Sequence, residues 1–420
     1  MNGFIIAAPS SGSGKTTLTL GILRALARRG DNVRGAKSGP DYIDPRFHEA
    51  ACGRPCPNLD AWAMAPDRIR ALAAGDGTLI VEGAMGLFDG APPDNKGATA
   101  DLSRILGIPV VLVVDAARLA GSVAPIVAGF RDFAPDVPVV GVILNNVGSD
   151  RHEAMLRRAL AQIDCPVLGA MRRDAALVQP SRHLGLVQAG ERTDLDQFLE
   201  TAADRVAQSI DLNALIDLAR PLVAGSAARI EPPAQRIAIA QDAAFAFAYP
   251  HLIADWRAHG AEIAFFSPLA DEAAPEADMI YLPGGYPELY AGKLAAATRF
   301  MQSLRNAAQG TVIYGECGGY MTLGKVLIDA DGVPHEMAGL LGLETSFAKR
   351  RLHLGYRNLT ATTGPFAGSW TAHEFHYATT ISAVGTPMFS ATDAEGTRLA
   401  PMGLIDGRVS GSFGHIIDRA

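Results

Sequence analysis

Two short stretches of this chain combine residue types at spacings that chemistry uses. The first is Ala8-Pro9-Ser10-Ser11-Gly12-Ser13-Gly14-Lys15-Thr16-Thr17, set between the apolar run Phe4-Ile5-Ile6-Ala7 and a helical pattern from Thr16 to about Arg29. A strand, a Gly/Ser loop and Lys-Thr at a helix start make a phosphate cradle. Glycines let backbone N–H groups converge on an anion, and the helix N-terminus adds positive potential. Ser11, Gly12, Ser13, Gly14, Lys15, Thr16 and Thr17 are the candidate nucleotide contacts, with Lys15 reaching the outer phosphates and the Thr16 hydroxyl placed for Mg²⁺. Pro9 stands where the strict motif has glycine. A flexible turn would share this composition, but strand, loop and helix all fall where the cradle requires them.

The second stretch is Gly315-Glu316-Cys317-Gly318-Gly319-Tyr320-Met321, after the apolar Thr311-Val312-Ile313-Tyr314. Small residues around a thiol, between a strand and a predicted helix, form a nucleophile elbow. That position predicts a lowered thiol pKa. One strand earlier, the Gly284-Gly285 turn offers backbone N–H donors for an oxyanion. The competing reading, a buried inert cysteine, is disfavoured by the flanking glycines. The thiol needs a base, and three histidines compete: His415 in Ser410-Gly411-Ser412-Phe413-Gly414-His415, and His373 and His376 in His373-Glu374-Phe375-His376-Tyr377. Sequence spacing leaves that choice open. With only Glu374 close by, the His-x-x-His pair reads as structural or substrate-orienting rather than metal-binding. Cys52 and Cys56 have a zinc-like spacing but no second pair, and read as unligated.

Further polar groups cluster after apolar runs. Asp41 and Asp44 flank an aromatic in Gly39-Pro40-Asp41-Tyr42-Ile43-Asp44-Pro45, just past a strand end, where open α/β sheets bind ligands. Alone they would be two solvated carboxylates in a proline-bounded loop. Thr78-Leu79-Ile80-Val81-Glu82 is a strand ending on an acid suited to orienting Mg²⁺, followed by the mobile-looking Gly83-Ala84-Met85-Gly86-Leu87-Phe88-Asp89-Gly90. Asn145 or Asn146, at another strand end, would recognise a nucleobase or cap the next helix.

The elements that must position these groups read as two α/β domains. A chain of 420 residues exceeds one ordinary core. Strands at 110–115, 139–146 and 166–170, with helices at about 121–133 and 150–162, continue the first series, and helical patterning runs on to about Leu222. The Pro/Ala-rich stretch 224–235 is a linker between a domain at 1–223 and one at 236–420, whose strands fall at 236–240, 262–266, 279–282 and 311–314. A net charge of −7 argues against nucleic-acid binding. No apolar run reaches membrane-spanning length, the N-terminal apolar stretch is too short for a signal peptide, and four cysteines are no disulfide framework. A cytoplasmic enzyme is expected.

These residues resemble the a,c-diamide synthases of corrinoid (vitamin B12) biosynthesis, ATP- and glutamine-dependent amidotransferases acting on hydrogenobyrinic or cobyrinic acid. The resemblance spans nearly the whole chain, in order. It rests on the 8–16 loop, Lys37-Ser38-Gly39-Pro40-Asp41-Tyr42-Ile43-Asp44-Pro45, Val81–Gly90, Leu282-Pro283-Gly284-Gly285-Tyr286-Pro287-Glu288, Gly315–Met321, His373–Tyr377 and Gly411–His415. It implies an N-terminal P-loop domain similar to dethiobiotin synthetase, which shares a divergent phosphate loop and so accounts for Pro9. It also implies a C-terminal domain similar to class I glutamine amidotransferases. Cys317 would be the nucleophile, His415 the base, and Gly284, Gly285 and Gly318 the oxyanion donors. Asp41, Tyr42, Asp44, Glu82 and Asp89 match positions that handle substrate or intermediate; Thr16, Glu82 and Asp41 would hold Mg²⁺, and Asn145 would contact ATP. Related glutaminases carry an acid two residues after the histidine, but position 417 is Ile and the nearest acid is Asp418, so a Cys–His dyad is expected. The substrates implied are ATP, glutamine and a corrin-ring polycarboxylic acid, with a shielded route for ammonia. The alternatives are a synthase amidating another tetrapyrrole, cobyric acid synthase, or, in a different class, a partner-regulated ATPase switch. A glutaminase motif argues against the last. Whether the ring carries cobalt, and whether the chain is a homodimer, stay open.

Overall fold

Aliphatic runs buried on both faces build the first sheet, which is why they read as unbroken apolar stretches. The computed structural model describes residues 1–177, 181–182, 185–186 and 188–420. It divides into two units, Met1–Ala228 and Arg229–Ala420, a division that falls inside the stretch expected as linker. In the first unit the strands are β1 (Asn2–Ala7), β2 (Val33–Ser38), β3 (Asn58–Leu59), β4 (Thr78–Glu82), β5 (Val110–Asp115), β6 (Val139–Val147) and β7 (Val167–Arg172). They lie parallel in the order β3-β2-β4-β1-β5-β6-β7. Helices α1 (Lys15–Arg29), α2 (Asp44–Cys52), α3 (Pro66–Ala73), α4 (Thr99–Leu106), α5 (Val123–Asp132), α6 (Asp150–Ala161) and α7 (Leu195–Ser209) accompany them.

The first helix shows how sequence sets its limits. Gly14, at φ 85°, opens α1, and Gly30, at φ 89°, closes it, its N–H bonding back to the Leu26 and Ala27 carbonyls. Inside the helix, Gly21 lets α7 approach: a Cβ there would lie 2.6 Å from Val206 and 2.8 Å from the Ala202 carbonyl oxygen. Two expectations change. The stretch 38–48 is not all loop, because α2 starts at Asp44 with Pro45 in its first turn, where a missing N–H costs nothing. The helical pattern to Leu222 is also interrupted. After β7 come a 3₁₀ turn (Ala175–Leu177) and a short hairpin of Ser181–Arg182 with Gly185–Leu186; α7 begins only at Leu195. Residues 178–180, 183–184 and 187 of that stretch lie outside the described residues.

The second unit begins as a parallel α/β sheet. Strands Glu262–Phe266, Arg236–Ala240, Met279–Leu282, Val312–Glu316 and Val409–Ser412 lie side by side in that order, all parallel. The sheet then continues antiparallel through Met402–Asp406, Thr386–Thr392, His353–Ala361, Gly368–His376 and Gly414–Arg419. Sequence patterning does not anticipate this antiparallel half. Nor is His415 in a turn, as expected; it belongs to the last strand. Only Phe413 separates Val409–Ser412 from Gly414–Arg419, yet four strands lie between them in the sheet order, so this half must curl on itself. Among the described residues no helix is long and apolar enough to cross a membrane.

Gly319 is the tightest joint of this unit. A Cβ there would sit 1.9 Å from the Leu282 carbonyl oxygen, so helix and strand meet backbone to backbone. Gly319→Ala is expected to destabilise the second unit by ~3 kcal/mol or more. Chemical denaturation that follows the two units separately would show a lowered midpoint for this one alone.

Candidate functional site

The phosphate-cradle residues lie at the carboxyl ends of the parallel strands, where an open α/β sheet binds ligands. Ser11 and Gly12 are exposed at the loop tip, Thr17 is half-buried in the first turn of α1, and the Ser13 hydroxyl donates to the Ser10 carbonyl at 3.0 Å. Positive φ at Gly12 (80°) and Gly14 (85°) turns the loop. The Lys15 ammonium donates to the carbonyls of Met85 (2.6 Å) and Ser10 (3.2 Å), and burial lowers its pKa. Asp89 accepts the Gly86 N–H at 2.9 Å, shaping the loop after β4. Asn145 does not cap the next helix: its amide donates to the Ser13 carbonyl at 2.9 Å and so braces the phosphate loop. Ser149 caps α6 instead, accepting the His152 N–H.

Behind Thr16 lies a buried charge network that sequence patterning does not reveal. The Thr16 hydroxyl donates to Glu82 Oε1 at 2.6 Å and stands 3.5 Å from Asp44 Oδ2. Lys37 Nζ donates to both carboxylates, at 2.6 Å to Asp44 and 2.7 Å to Glu82. His48 Nε2 hydrogen-bonds Glu82 Oε2 at 2.6 Å, and Cys56 Sγ lies 3.4 Å from His48 Nδ1. Burial opposes every charge here. The two acids outweigh it at Lys37 and hold the ammonium charged; Lys37 and His48 outweigh it at Glu82 and hold that carboxyl well below its usual range. Burial and the neighbouring Asp41 instead push Asp44 up to about 6. Asp41 Oδ1 accepts the N–H groups of Ile43 and Asp44, so it caps α2, with the half-buried Tyr42 between the two acids. Thr16, Glu82 and Asp44 present hard oxygen donors that suit Mg²⁺. Lys37 was missed because a lysine at a strand end signals nothing until its two carboxylates are in place.

In the second unit Cys317 has φ 46° and ψ −101°, and its N–H donates to the Ser412 carbonyl at 2.8 Å. This is the strained turn of an elbow. Gly284 stands between thiol and imidazole: a Cβ on it would lie 2.2 Å from His415 Cε1 and 3.3 Å from Cys317 Cβ. Gly318 abuts Gly285, since a Cβ at Gly318 would be 3.1 Å from the Gly285 nitrogen. The structure therefore brings Cys317, His415, Gly284, Gly285 and Gly318 together, and of the three histidines it is His415 that lies against Gly284 with the thiol. The expected lowering of the thiol pKa does not occur. Burial pushes the Cys317 thiol far up, with Glu288, Glu374 and Glu316 adding to it, and only the Gly318 N–H opposes them. Burial likewise pushes His415 down to about 3, helped by His373 and His376. The resting pair is neutral thiol and neutral imidazole.

His373 pairs across the ladder with His415, and burial takes it down to about 3. Glu374 Oε2 accepts from Arg357 at 2.7 and 2.9 Å, and Oε1 lies 3.0 Å from His376 Nε2; against burial these partners bring Glu374 to about 2. His353 and His376 stack at 4.6 Å with 6° between their planes. Ring lone pairs lie in those planes, so two parallel stacked rings do not converge on one ion, and the trio with Glu374 is an organising wall rather than a chelate. Glu316, next to Cys317, is fully buried. Its Oε2 accepts from the Tyr281 hydroxyl at 2.7 Å and lies 3.7 Å from His415 Nδ1, while Oε1 accepts the Ile416 N–H at 3.1 Å.

His373 and His415 titrate near 3 in the fold, against 6.5 normally. As pH falls below about 6.5 the unfolded chain takes up protons that the folded one refuses, so stability drops by ~1.4 kcal/mol per pH unit for each group. Thermal unfolding of the second unit should shift markedly downward between pH 7 and pH 5, and His373→Gln should flatten that slope.

Known proteins match along the whole chain. Residues 4–187 match the CobQ/CobB/MinD/ParA nucleotide binding domain, and residues 236–419 the CobB/CobQ-like glutamine amidotransferase domain. A relative from Brucella anthropi is 56% identical over 431 residues, covering 100% of this chain and 99% of its own. One from Rhizobium meliloti is 56% identical over 427 residues with the same coverage, and one from Rhodobacter capsulatus is 52% identical over 428, covering 99% and 98%. All three carry the name hydrogenobyrinate a,c-diamide synthase.

Proposed function

Since the chain belongs to the hydrogenobyrinate a,c-diamide synthase family, we propose that it amidates the a- and c-acetate carboxylates of hydrogenobyrinic acid, using ATP and ammonia drawn from glutamine. One observation carries this reading: a single chain holds both a phosphate cradle and a Cys317–His415 pair set around Gly284. A partner-regulated ATPase has no use for the second.

At the glutaminase site, His415 accepts the Cys317 proton and the thiolate attacks the side-chain carbonyl carbon of glutamine. The Gly285 and Gly318 amides face the developing oxyanion. As the C–N bond breaks, the imidazolium returns its proton and ammonia leaves; water then opens the thioester to glutamate. At the synthetase site an acetate oxygen of the macrocycle attacks the γ-phosphorus of ATP and ADP departs. The acyl phosphate reacts with ammonia to give the amide and phosphate, and the cycle repeats on the second acetate. Lys15 and the amides of the 11–16 loop hold the phosphates, with Asn145 keeping the loop in shape. Thr16, Glu82 and Asp44 would hold Mg²⁺, whose contribution is to neutralise charge on the transferring phosphoryl group. Lys37 balances the two carboxylates from beneath, and Asp41, Tyr42 and Asp89 line the turns that face substrate. A shielded ammonia route follows from chemistry, since free ammonia is mostly protonated at neutral pH.

The test is product mass after incubation with glutamine, MgATP and the metal-free macrocycle. Two successive OH-to-NH₂ decrements are expected, with the cobalt-containing ring as the competing substrate; no amidation of the metal-free ring would sink the assignment. Cys317→Ala should lower glutamine-driven amidation by at least ~10³-fold while ammonium chloride restores it. Lys15→Met should remove both.

A further inference from the structure

The neutral resting pair raises a question of charge. Moving the Cys317 proton to His415 creates an imidazolium in a fully buried pocket, and a buried cation needs a counter-charge. Four carboxylates stand near enough to be considered. Glu374 already balances the Arg357 guanidinium and meets His376. Glu288 sits on the turn after Gly285, on the nucleophile's side, where its charge raises the thiol pKa. Asp418 lies two ladder positions from His415, opposite Thr371, beyond the bulge at Ile417. Glu316 remains, and its oxygen is 3.7 Å from His415 Nδ1.

We propose that Glu316 is the positioning residue of the glutaminase site, steering His415 through Nδ1 and supporting the charge the ring takes when Nε2 receives the Cys317 proton. The inference rests on the Cys317–His415 reading above. The acid reaches the histidine from the residue before the nucleophile, where related glutaminases place it two residues after the base. Its support is specific. Tyr281 donates to Oε2 and the Ile416 N–H to Oε1, so the same side chain that faces the imidazole is tied to the residue following it. Both donors favour the carboxylate. Among the described residues no cation is recorded acting on Glu316, and burial pushes it up to about 8; an imidazolium beside it would bring it back down. A separation of 3.7 Å is within ion-pair distance.

The groups facing His415 are Glu316, His373, His376, Glu374 and the Phe247 backbone, with Glu288 acting on Cys317, Tyr281 and Tyr314 behind Glu316 and His251 on the Ile417 carbonyl. The experiment must therefore separate Glu316 from general negative charge. In the full-length chain, glutaminase kcat and KM would be measured with the pH dependence of iodoacetamide alkylation, read by mass spectrometry on the Cys317 peptide. Glu316→Gln should lower kcat by ~10²-fold or more. The KM for glutamine should stay within about threefold. Direct repulsion of the thiolate by Glu316 would, once removed, move the rising limb of alkylation to lower pH; lost support of the imidazolium moves it to higher pH, by about one unit, and a move to lower pH overturns the proposal. Tyr281→Phe, which removes one donor from the carboxylate, should move the limb the same way by less. A limb that stays in place in Glu316→Gln overturns the proposal, as does an equal displacement in Glu374→Gln. Should Glu316→Gln fail to fold, an unmoved limb in Tyr281→Phe overturns it instead. Glutaminase activity surviving in Cys317→Ala would mark failure of the underlying reading, a distinct result.

Discussion

The hydrogen bond from the Cys317 N–H to the Ser412 carbonyl, 2.8 Å long, links the two halves of the glutaminase centre before any substrate arrives. Cys317 adopts a backbone conformation that costs about 1–3 kcal/mol for a non-glycine residue and persists only where its surroundings impose it. Parallel pairing of Val312–Glu316 with Val409–Ser412 imposes it from one side, and the backbone contact of Gly319 with Leu282 from the other. Beyond Ser412 the chain passes Phe413 and enters the strand that carries His415. One anchor thus sets the direction of both Cys317 and His415, and Gly284 keeps clear the space between them.

The two units handle buried charge in opposite ways. In the first, Lys37, Glu82, Asp44, Thr16 and His48 form a connected network in which each charge meets an opposite one or a hydrogen bond. That suits phosphoryl transfer, where fixed charges must meet a fixed anion without rearranging. In the second, burial drives Cys317 and His415 toward their neutral forms. Desolvation disfavours the thiolate and the imidazolium alike, so the separated charges must be supported by their surroundings when they form.

How much of this could be read from residues alone varies by element. Strands β4 and β5 and the Arg236–Ala240 strand were legible because parallel strands buried on both faces appear as continuous apolar runs. The phosphate loop was legible because its mechanism needs glycines, lysine and threonine in one short order. The antiparallel half of the second sheet was not, since its strands are half-exposed and polar, as in His353–Ala361. α2 was hidden by the prolines around it. The roles of Lys37, His48 and Glu316 carried no signal, although Lys37 and Glu316 stand inside recognisable motifs, because each gains its role from partners far away in the chain.

Sequence by itself determined the chemistry on offer: the cradle, the thiol, the glycines that must lie beside it and the resemblance that unites them. Those are local properties, set by residue types a few positions apart. Tertiary structure decided which histidine lies beside the thiol, that Asn145 braces the loop, that Asp41 caps a helix while Asp44 meets Thr16, and that burial disfavours the thiolate. Each depends on distance and burial between residues remote in sequence, and those exist only once sheet order has been set by packing.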